Sequence, residues 1–177
     1  MEDYIITYTN IHFEILNPAS EDICIKDIAH ALSLLCRGNG HTKCFFSVAQ
    51  HSINCAKEAA MRGYSKQVQL ACLLHDASEA YLSDITRPLK KHLPEYLAIE
   101  KKVQDAIFDK YQVDKSDEDI MIKVKCIDDA MLYYELSSLM NEDTLDIPPA
   151  LSSDIELKTK DFIEIENEFL DLYNSLA

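Results

Sequence analysis

Leu73-Leu74-His75-Asp76-Ala77-Ser78-Glu79 is the stretch on which the reading of this chain turns. An imidazole and a carboxylate stand side by side at the end of an apolar segment that begins at Val68. Burying either group without a partner is costly, and a metal ion is the partner that suits both. His51 lies upstream in Val48-Ala49-Gln50-His51-Ser52, and Asp128 lies downstream in Val124-Lys125-Cys126-Ile127-Asp128-Asp129. Divalent transition metals favour imidazole nitrogen mixed with carboxylate oxygen. His51, His75, Asp76 and Asp128, carried on three predicted helices, could converge on one ion. Such a set leaves positions open for water and for a substrate oxygen.

The rest of the fold is read outward from this pair. The apolar run 68–74 ends a helix capped by Ser65, and the helix before it starts at Ser47, carries His51 and runs to Gly63. Ile25, Ile28, Ala29, Leu32, Leu35 and Cys36 recur at helical spacing and predict a helix over 25–36, with Gly38 as its stop. Residues 4–16 are rich in β-branched and aromatic types and predict a short hairpin turning at Thr9-Asn10, with Pro18 ending the unit. Downstream, Asp84, Pro88 and Pro94 punctuate a loop over 82–93, and Pro94 suits the first turn of a helix to about Tyr111. Ser116-Asp117-Glu118-Asp119 resembles a capping box at the start of a long helix, to about Met140, that carries Asp128. Pro148-Pro149 breaks the chain again. Residues 154–175 read as a last amphipathic helix with Phe162, Ile165, Phe169, Leu172 and Tyr173 on one side.

Composition agrees with a helical protein. Three Gly and five Pro in 177 residues are too few for an all-β chain full of tight turns, while 47% hydrophobic and 27% charged residues are ordinary for a globular protein. No repeat, low-complexity tract or linker divides the sequence, so residues 1–177 are expected to form one domain. With 17 Lys and Arg against 31 Asp and Glu, the net charge is −14. That charge repels polymeric nucleic acid and anionic membranes at long range but leaves room for a small anion in a local cationic pocket. No apolar run is long enough for a membrane span, and the start Met1-Glu2-Asp3-Tyr4 lacks a signal-peptide pattern. The six cysteines are scattered singly, with no CxxC pair, and read as reduced, mostly core residues of a cytoplasmic protein rather than disulfides or zinc ligands.

The order His51, His75-Asp76, Asp128 resembles the ligand signature of the HD-domain phosphohydrolases. The likeness extends to Asp22 through Ser33, Cys36-Arg37 with Gly40-His41, Ser47 through Ser52, Leu73 through Tyr81, Asp84-Ile85 with Arg87 through Lys90, and Asp128 through Glu135. It covers roughly residues 5–142 and is similar to the branch containing bacterial 5'-deoxynucleotidases and phage-type deoxynucleoside triphosphate triphosphohydrolases. The resemblance implies an all-α HD-domain helical bundle with a short N-terminal β-hairpin. It also implies one divalent metal ion (Co, Mn, Fe, Zn or Ni), a small-molecule nucleotide substrate and a homo-oligomer, a dimer or larger. The amphipathic last helix offers either an oligomer contact or a face packed on the chain's own core.

Further roles come from the same resemblance. Glu79 matches the general acid/base near the metal water, and its spacing of three from Asp76 lets the two share a helix face if the helix continues. Asp84 matches an acidic residue that orients water or the substrate sugar, and Arg37 one that contacts phosphate or sugar. Arg87, Lys90 and Lys91 concentrate positive charge just after these groups, as phosphate requires; Arg87, Lys90 and His41 are taken as substrate-binding candidates. Glu135, seven residues after Asp128, reads as a supporting group. Ala80 after Glu79 departs from the HDxxED pattern of alarmone hydrolases, and no extra His is placed for a second metal. Gly38-Asn39 stands where relatives carry an aromatic residue, so base preference is not implied. The activity expected first is release of phosphate from deoxynucleoside triphosphates (dATP-like). The alternatives are a monophosphate 5'-deoxynucleotidase and a non-catalytic nucleotide-sensing module.

Overall fold

The computed structural model describes residues 3–140, 142 and 147–177. It is mostly helical, as expected. Strands β1 (Ile5–Ile6) and β2 (His12–Phe13) pair antiparallel, with Ile5 opposite Phe13. The turn between them closes with Asn10 at φ 69°, a left-handed position that Asn tolerates. The helices are α1 (Ile25–Leu34), α2 (Val48–Met61), α3 (Lys66–Leu74), α4 (Glu79–Leu82), α5 (Arg87–Lys90), α6 (Pro94–Lys110), α7 (Glu118–Glu135) and α8 (Phe162–Leu176). The expected loop over 82–93 thus contains the short helix α5.

Helix α2 packs against α1, α3, α7 and α8. Its start is a capping box: Ser47 Oγ accepts from the Gln50 amide at 3.2 Å, and the Gln50 side chain accepts from the Ser47 amide at 3.2 Å. Ser65 caps α3 by accepting from the Val68 amide at 3.4 Å. The core joins Phe13, Ile28, Leu32, Ile53, Leu73, Leu74, Ile107, Ile127 and Phe169. Ile165 and Phe169 of α8 are buried in this core, so the amphipathic face of the last helix is spent on the chain's own interior.

Several boundaries differ from the sequence reading. Helix α1 ends at Leu34 rather than Cys36, because Cys36 pairs with Ser47 in an antiparallel bridge and Arg37 donates from its amide to Phe46 O at 2.9 Å. Gly38 therefore does not stop the helix. It begins a left-handed turn, Gly38-Asn39-Gly40, at the mouth of a loop that carries His41. Asp117, not Ser116, caps α7, accepting from the Asp119 and Ile120 amides at 2.9 and 3.3 Å. The α-helix ends at Glu135, where a π-helical turn, Leu136–Met140, takes over.

The largest difference is at the last helix, which starts at Phe162 and leaves residues 154–161 irregular. Gln50, Asn54 and Glu58 form a stripe of one polar residue per turn on α2, buried although polar. Gln50 Nε2 donates to Lys158 O at 2.9 Å and Asn54 Nδ2 to Glu156 O at 3.2 Å. Glu58 accepts from the amides of Ser152 and Ser153, from Ser153 Oγ at 2.6 Å and from Arg62 Nε at 2.7 Å. These long-range partners replace the helical hydrogen bonds that the segment would otherwise make.

Burial resists the charge of Glu58, but the Ser153 hydroxyl, Arg62 and the two amides hold its pKa below the ordinary carboxylate value. A carboxylate whose folded pKa is lowered stabilises the fold above its unfolded pKa of about 4.3 and loses that contribution as pH falls through the folded value. Glu58→Ala is expected to lower unfolding stability by about 3 kcal/mol at pH 7. Urea denaturation at pH 7 and pH 3 checks this: the gap between the two proteins narrows at the lower pH.

Candidate metal centre

Past Leu74, α3 tightens. The Ala77, Glu79, Ala80 and Tyr81 amides donate to Leu74, Asp76, Ala77 and Ser78 carbonyls at 3.0–3.2 Å, each three residues back. At three residues per turn, side chains three apart eclipse. Asp76 and Glu79 thus come to one face through this tight winding rather than through a continued α-helix. His51 comes from the first turn of α2, Asp128 from the middle of α7, and Glu135 from two turns further along α7.

Both imidazoles are oriented by their Nδ1 atoms. His75 Nδ1 lies 2.8 Å from Cys72 O, which can only accept, so Nδ1 donates there and Nε2 is the nitrogen turned to the centre. His51 is fully buried, with Nδ1 2.6 Å from Glu135 Oε1. Burial resists ionisation of Glu135, but Arg37, whose Nε donates to Glu135 Oε2 at 3.0 Å, and His51 hold its pKa below the ordinary value. An ionised Glu135 accepts a hydrogen bond from His51 Nδ1–H, which turns Nε2 of that ring to the centre as well.

The two Nε2 atoms lie 3.2 Å apart. Asp76 Oδ2 is 3.2 Å from His75 Nε2 and 3.7 Å from His51 Nε2. Asp128 Oδ1 is 3.3 Å from His51 Nε2 and 3.8 Å from His75 Nε2. Donor atoms bonded to one ion at about 2.1 Å are about 3.0 Å apart along an octahedral edge and about 3.4 Å along a tetrahedral one. The observed spacings are of that size. Acceptors brought together in this way repel unless a cation or protons lie among them. The same demand appears in the titration of the site. Against the penalty of burial, Asp76 and Asp128 hold His75 well above its ordinary pKa, and Glu135 and Asp128 raise His51. Burial notwithstanding, the two imidazoles hold both aspartates below the carboxylate range.

Cys55 is one turn after His51 on α2, and its Sγ lies 3.6 Å from His51 Nε2. Donor atoms of His51, Cys55 and His75 all lie within 4.8 Å of one another, a group that can hold a metal ion. The expectation that the cysteines are mostly core residues needs correction, since Cys24, Cys36 and Cys44 are only half-buried. Cys55 and Cys72 are buried, Cys126 is exposed, and the Cys55 thiol faces the centre; all six are free. The signal in the sequence was the spacing of four between His51 and Cys55, which puts both on one helix face.

The centre opens into a cleft of about 590 Å³. Its lining combines polar groups, Asp76, Asp128, Glu79, Asp84, Arg37 and Lys90, with the apolar side chains of Phe46, Leu132, Leu136 and Leu139. His41, exposed, and Arg87 also line it. The loop after Arg37 is clamped to the π-helical turn by Lys43, whose amide donates to Leu139 O at 2.9 Å and whose Nζ donates to Ser138 O at 2.8 Å. Asp84 accepts from the Gly38 amide at 3.4 Å, closing the cleft at the left-handed turn.

Arg37, Arg87 and Lys90 are each engaged by carboxylates. Arg37 Nη1 reaches Asp76 Oδ2 at 3.4 Å, Arg87 Nη2 reaches Asp128 Oδ2 at 2.5 Å, and Lys90 Nζ reaches Glu79 at 3.2 Å and Glu100 at 2.6 Å. An incoming anion would exchange these carboxylate partners for its own oxygens. Glu79 is 5% exposed, and its Oε2 has no hydrogen-bond partner. Burial first, then Asp76 and Asp84, push its pKa well above the ordinary value; Lys90 and Arg37 offset this only partly. Burial and these two carboxylates thus favour the protonated form of Glu79.

Glu135 gives a direct check on the orientation of His51. Glu135→Gln keeps the shape but no longer fixes the imidazole tautomer. Metal affinity should fall about 10- to 100-fold, as for other supports of metal-bound histidines. Competition against a chromogenic chelator measures it.

No protein-family model matches the chain. The chain is 40% identical over 108 residues to the uncharacterized protein YfdR of Escherichia coli (strain K12), covering 61% of this chain and 58% of that protein. It is 35% identical over 99 residues to the uncharacterized protein RCAP_rcc00048 of Rhodobacter capsulatus, covering 53% and 50%. The chain thus spans about half the length of the curated relatives it matches. Among the described residues, no helix is long and apolar enough to cross a membrane.

Proposed function

We propose that this chain is a metal-dependent nucleotide phosphohydrolase of the HD-domain type, acting first on deoxynucleoside triphosphates. The observation that carries the reading is the convergence of His51, His75, Asp76 and Asp128 beside a cleft that Asp76, Asp128 and Glu79 line. Those four residues would hold one divalent ion, of Co, Mn, Fe, Zn or Ni type. When bound, the ion supplies a water of lowered pKa and polarises a phosphoryl oxygen.

The chain's own groups supply the rest. Glu79 gives its proton to the leaving oxygen. Arg37, held by Glu135 and Asp76, offers charge-assisted donors to phosphate, and Lys90 and Arg87 add positive charge along the same wall. Three cations on one wall suit more than one phosphate, which favours a triphosphate over a monophosphate. The apolar lining of the cleft, Phe46, Leu132, Leu136 and Leu139, suits a base or sugar face.

The test is a product assay. Protein loaded with Co²⁺ or Mn²⁺ is offered each deoxynucleoside mono- and triphosphate, and orthophosphate, pyrophosphate and triphosphate are separated. Deoxynucleoside with triphosphate, or stepwise phosphate loss from triphosphates, is the expected result. Release from monophosphates alone would replace the triphosphate reading with a 5'-deoxynucleotidase. Nucleotide binding with no release would replace it with a sensor module.

A further inference from the structure

We infer that Cys55 is an additional ligand of the metal centre, approaching from the protein interior, and that it makes this centre select thiophilic ions such as Zn²⁺ and Co²⁺ over Mn²⁺. The inference rests on the metal-centre reading above and deepens it by narrowing the metal class.

The geometry carries it. His51 and Cys55 are four residues apart on α2, so their side chains share one face. An imidazole nitrogen at about 2.0 Å and a thiolate sulfur at about 2.3 Å from one ion lie about 3.5 Å apart across a tetrahedral edge. Cys55 Sγ stands 3.6 Å from His51 Nε2, and the donors of His51, Cys55 and His75 lie within 4.8 Å of one another. A second observation is independent of the thiol. His51 is fully buried, and its Nε2 is turned toward His75 Nε2, 3.2 Å away, by the hydrogen bond that Nδ1 makes with Glu135.

The arrangement divides the donors into two sides. Asp76 and Asp128, hard oxygen donors, line the cleft, whereas Cys55 is 1% exposed and belongs to the core. Substrate and water meet the ion from the carboxylate side, and the sulfur is shielded from solvent. A purely carboxylate and imidazole set is indifferent among first-row ions apart from their general affinity order, but one sulfur donor shifts preference toward softer ions. On coordination the S–H bond breaks, the sulfur lone pair joins the ion, and one proton passes to the solvent buffer.

Cobalt substitution tests this with a readout that does not depend on turnover. Wild-type protein titrated with Co²⁺ should develop visible d–d bands together with a near-ultraviolet sulfur-to-cobalt charge-transfer band. Cys55→Ser should keep the d–d bands and lose the charge-transfer band, while Cys72→Ser keeps both. Zn²⁺-over-Mn²⁺ preference in competition should fall by at least about tenfold in Cys55→Ser. Visible bands without a charge-transfer band in the wild type would overturn the inference and leave the metal centre standing. So would a charge-transfer band that persists in Cys55→Ser. Failure of Co²⁺ to bind at all would overturn the metal-centre reading together with the inference. The wild-type spectrum decides even if Cys55→Ser does not fold.

Discussion

Asp76→Ala is expected to abolish hydrolysis and metal retention together. Asp76 Oδ2 lies near both imidazole Nε2 atoms, within 3.2 Å of one and 3.7 Å of the other, and also accepts from Arg37. Removing it takes a negative donor from the centre and frees Arg37 from one of its two carboxylate partners. The rate should fall at least about a thousandfold, about 4 kcal/mol of transition-state stabilisation. Binding of an ion stabilises the native state by about 2.7 kcal/mol at a hundred times its Kd. The melting temperature of the wild type should therefore rise on adding Co²⁺ or Mn²⁺, and that of Asp76→Ala should not. Thermal denaturation with and without the ion, beside the rate, separates loss of the centre from loss of the fold. Full activity in a variant that excludes metal would contradict the mechanism.

Glu79→Gln carries the second large effect, of a different kind. Gln keeps the size and a hydrogen bond toward Lys90 but has no proton to give. The rate constant kcat should fall by roughly 10²- to 10⁴-fold, with metal content and KM little changed. The pH dependence has a definite sign. A general acid works while protonated, so wild-type kcat holds below the raised pKa of Glu79 and falls as pH rises through it. Burial, Asp76 and Asp84 set that value well above the ordinary carboxylate range. Glu79→Gln should lose this alkaline fall. A variant with unchanged kcat, or one that keeps the same alkaline limb, would assign the proton to another group.

The convergence of His75 and Asp76 was legible because an imidazole and a carboxylate at the end of an apolar run need partners, whereas His51 and Asp128 were found through the resemblance. Ser47 and Ser65 were legible as caps for a similarly local reason: each hydroxyl bonds an amide three residues on. What escaped the sequence was set by distant partners. The last helix starts late because Gln50, Asn54 and Glu58 hold the backbone of residues 152–158, about a hundred positions away. Helix α1 ends early because Cys36 has a partner in Ser47. Arg37, Arg87 and Lys90, expected to be free for phosphate, are engaged by carboxylates, a pairing that spacing does not reveal. Cys55 reads as a small core residue in one dimension and as a donor beside His51 only in three.

The most direct measurement is phosphate release by one preparation in two states: stripped of metal by chelation, then reconstituted with Co²⁺ or Mn²⁺. The account predicts that stripped protein releases no phosphate from deoxynucleoside triphosphates. Activity should return in proportion to the ion bound and saturate at one ion per chain. Release unaffected by stripping, or no release from any nucleotide with the ion fully bound, would contradict it.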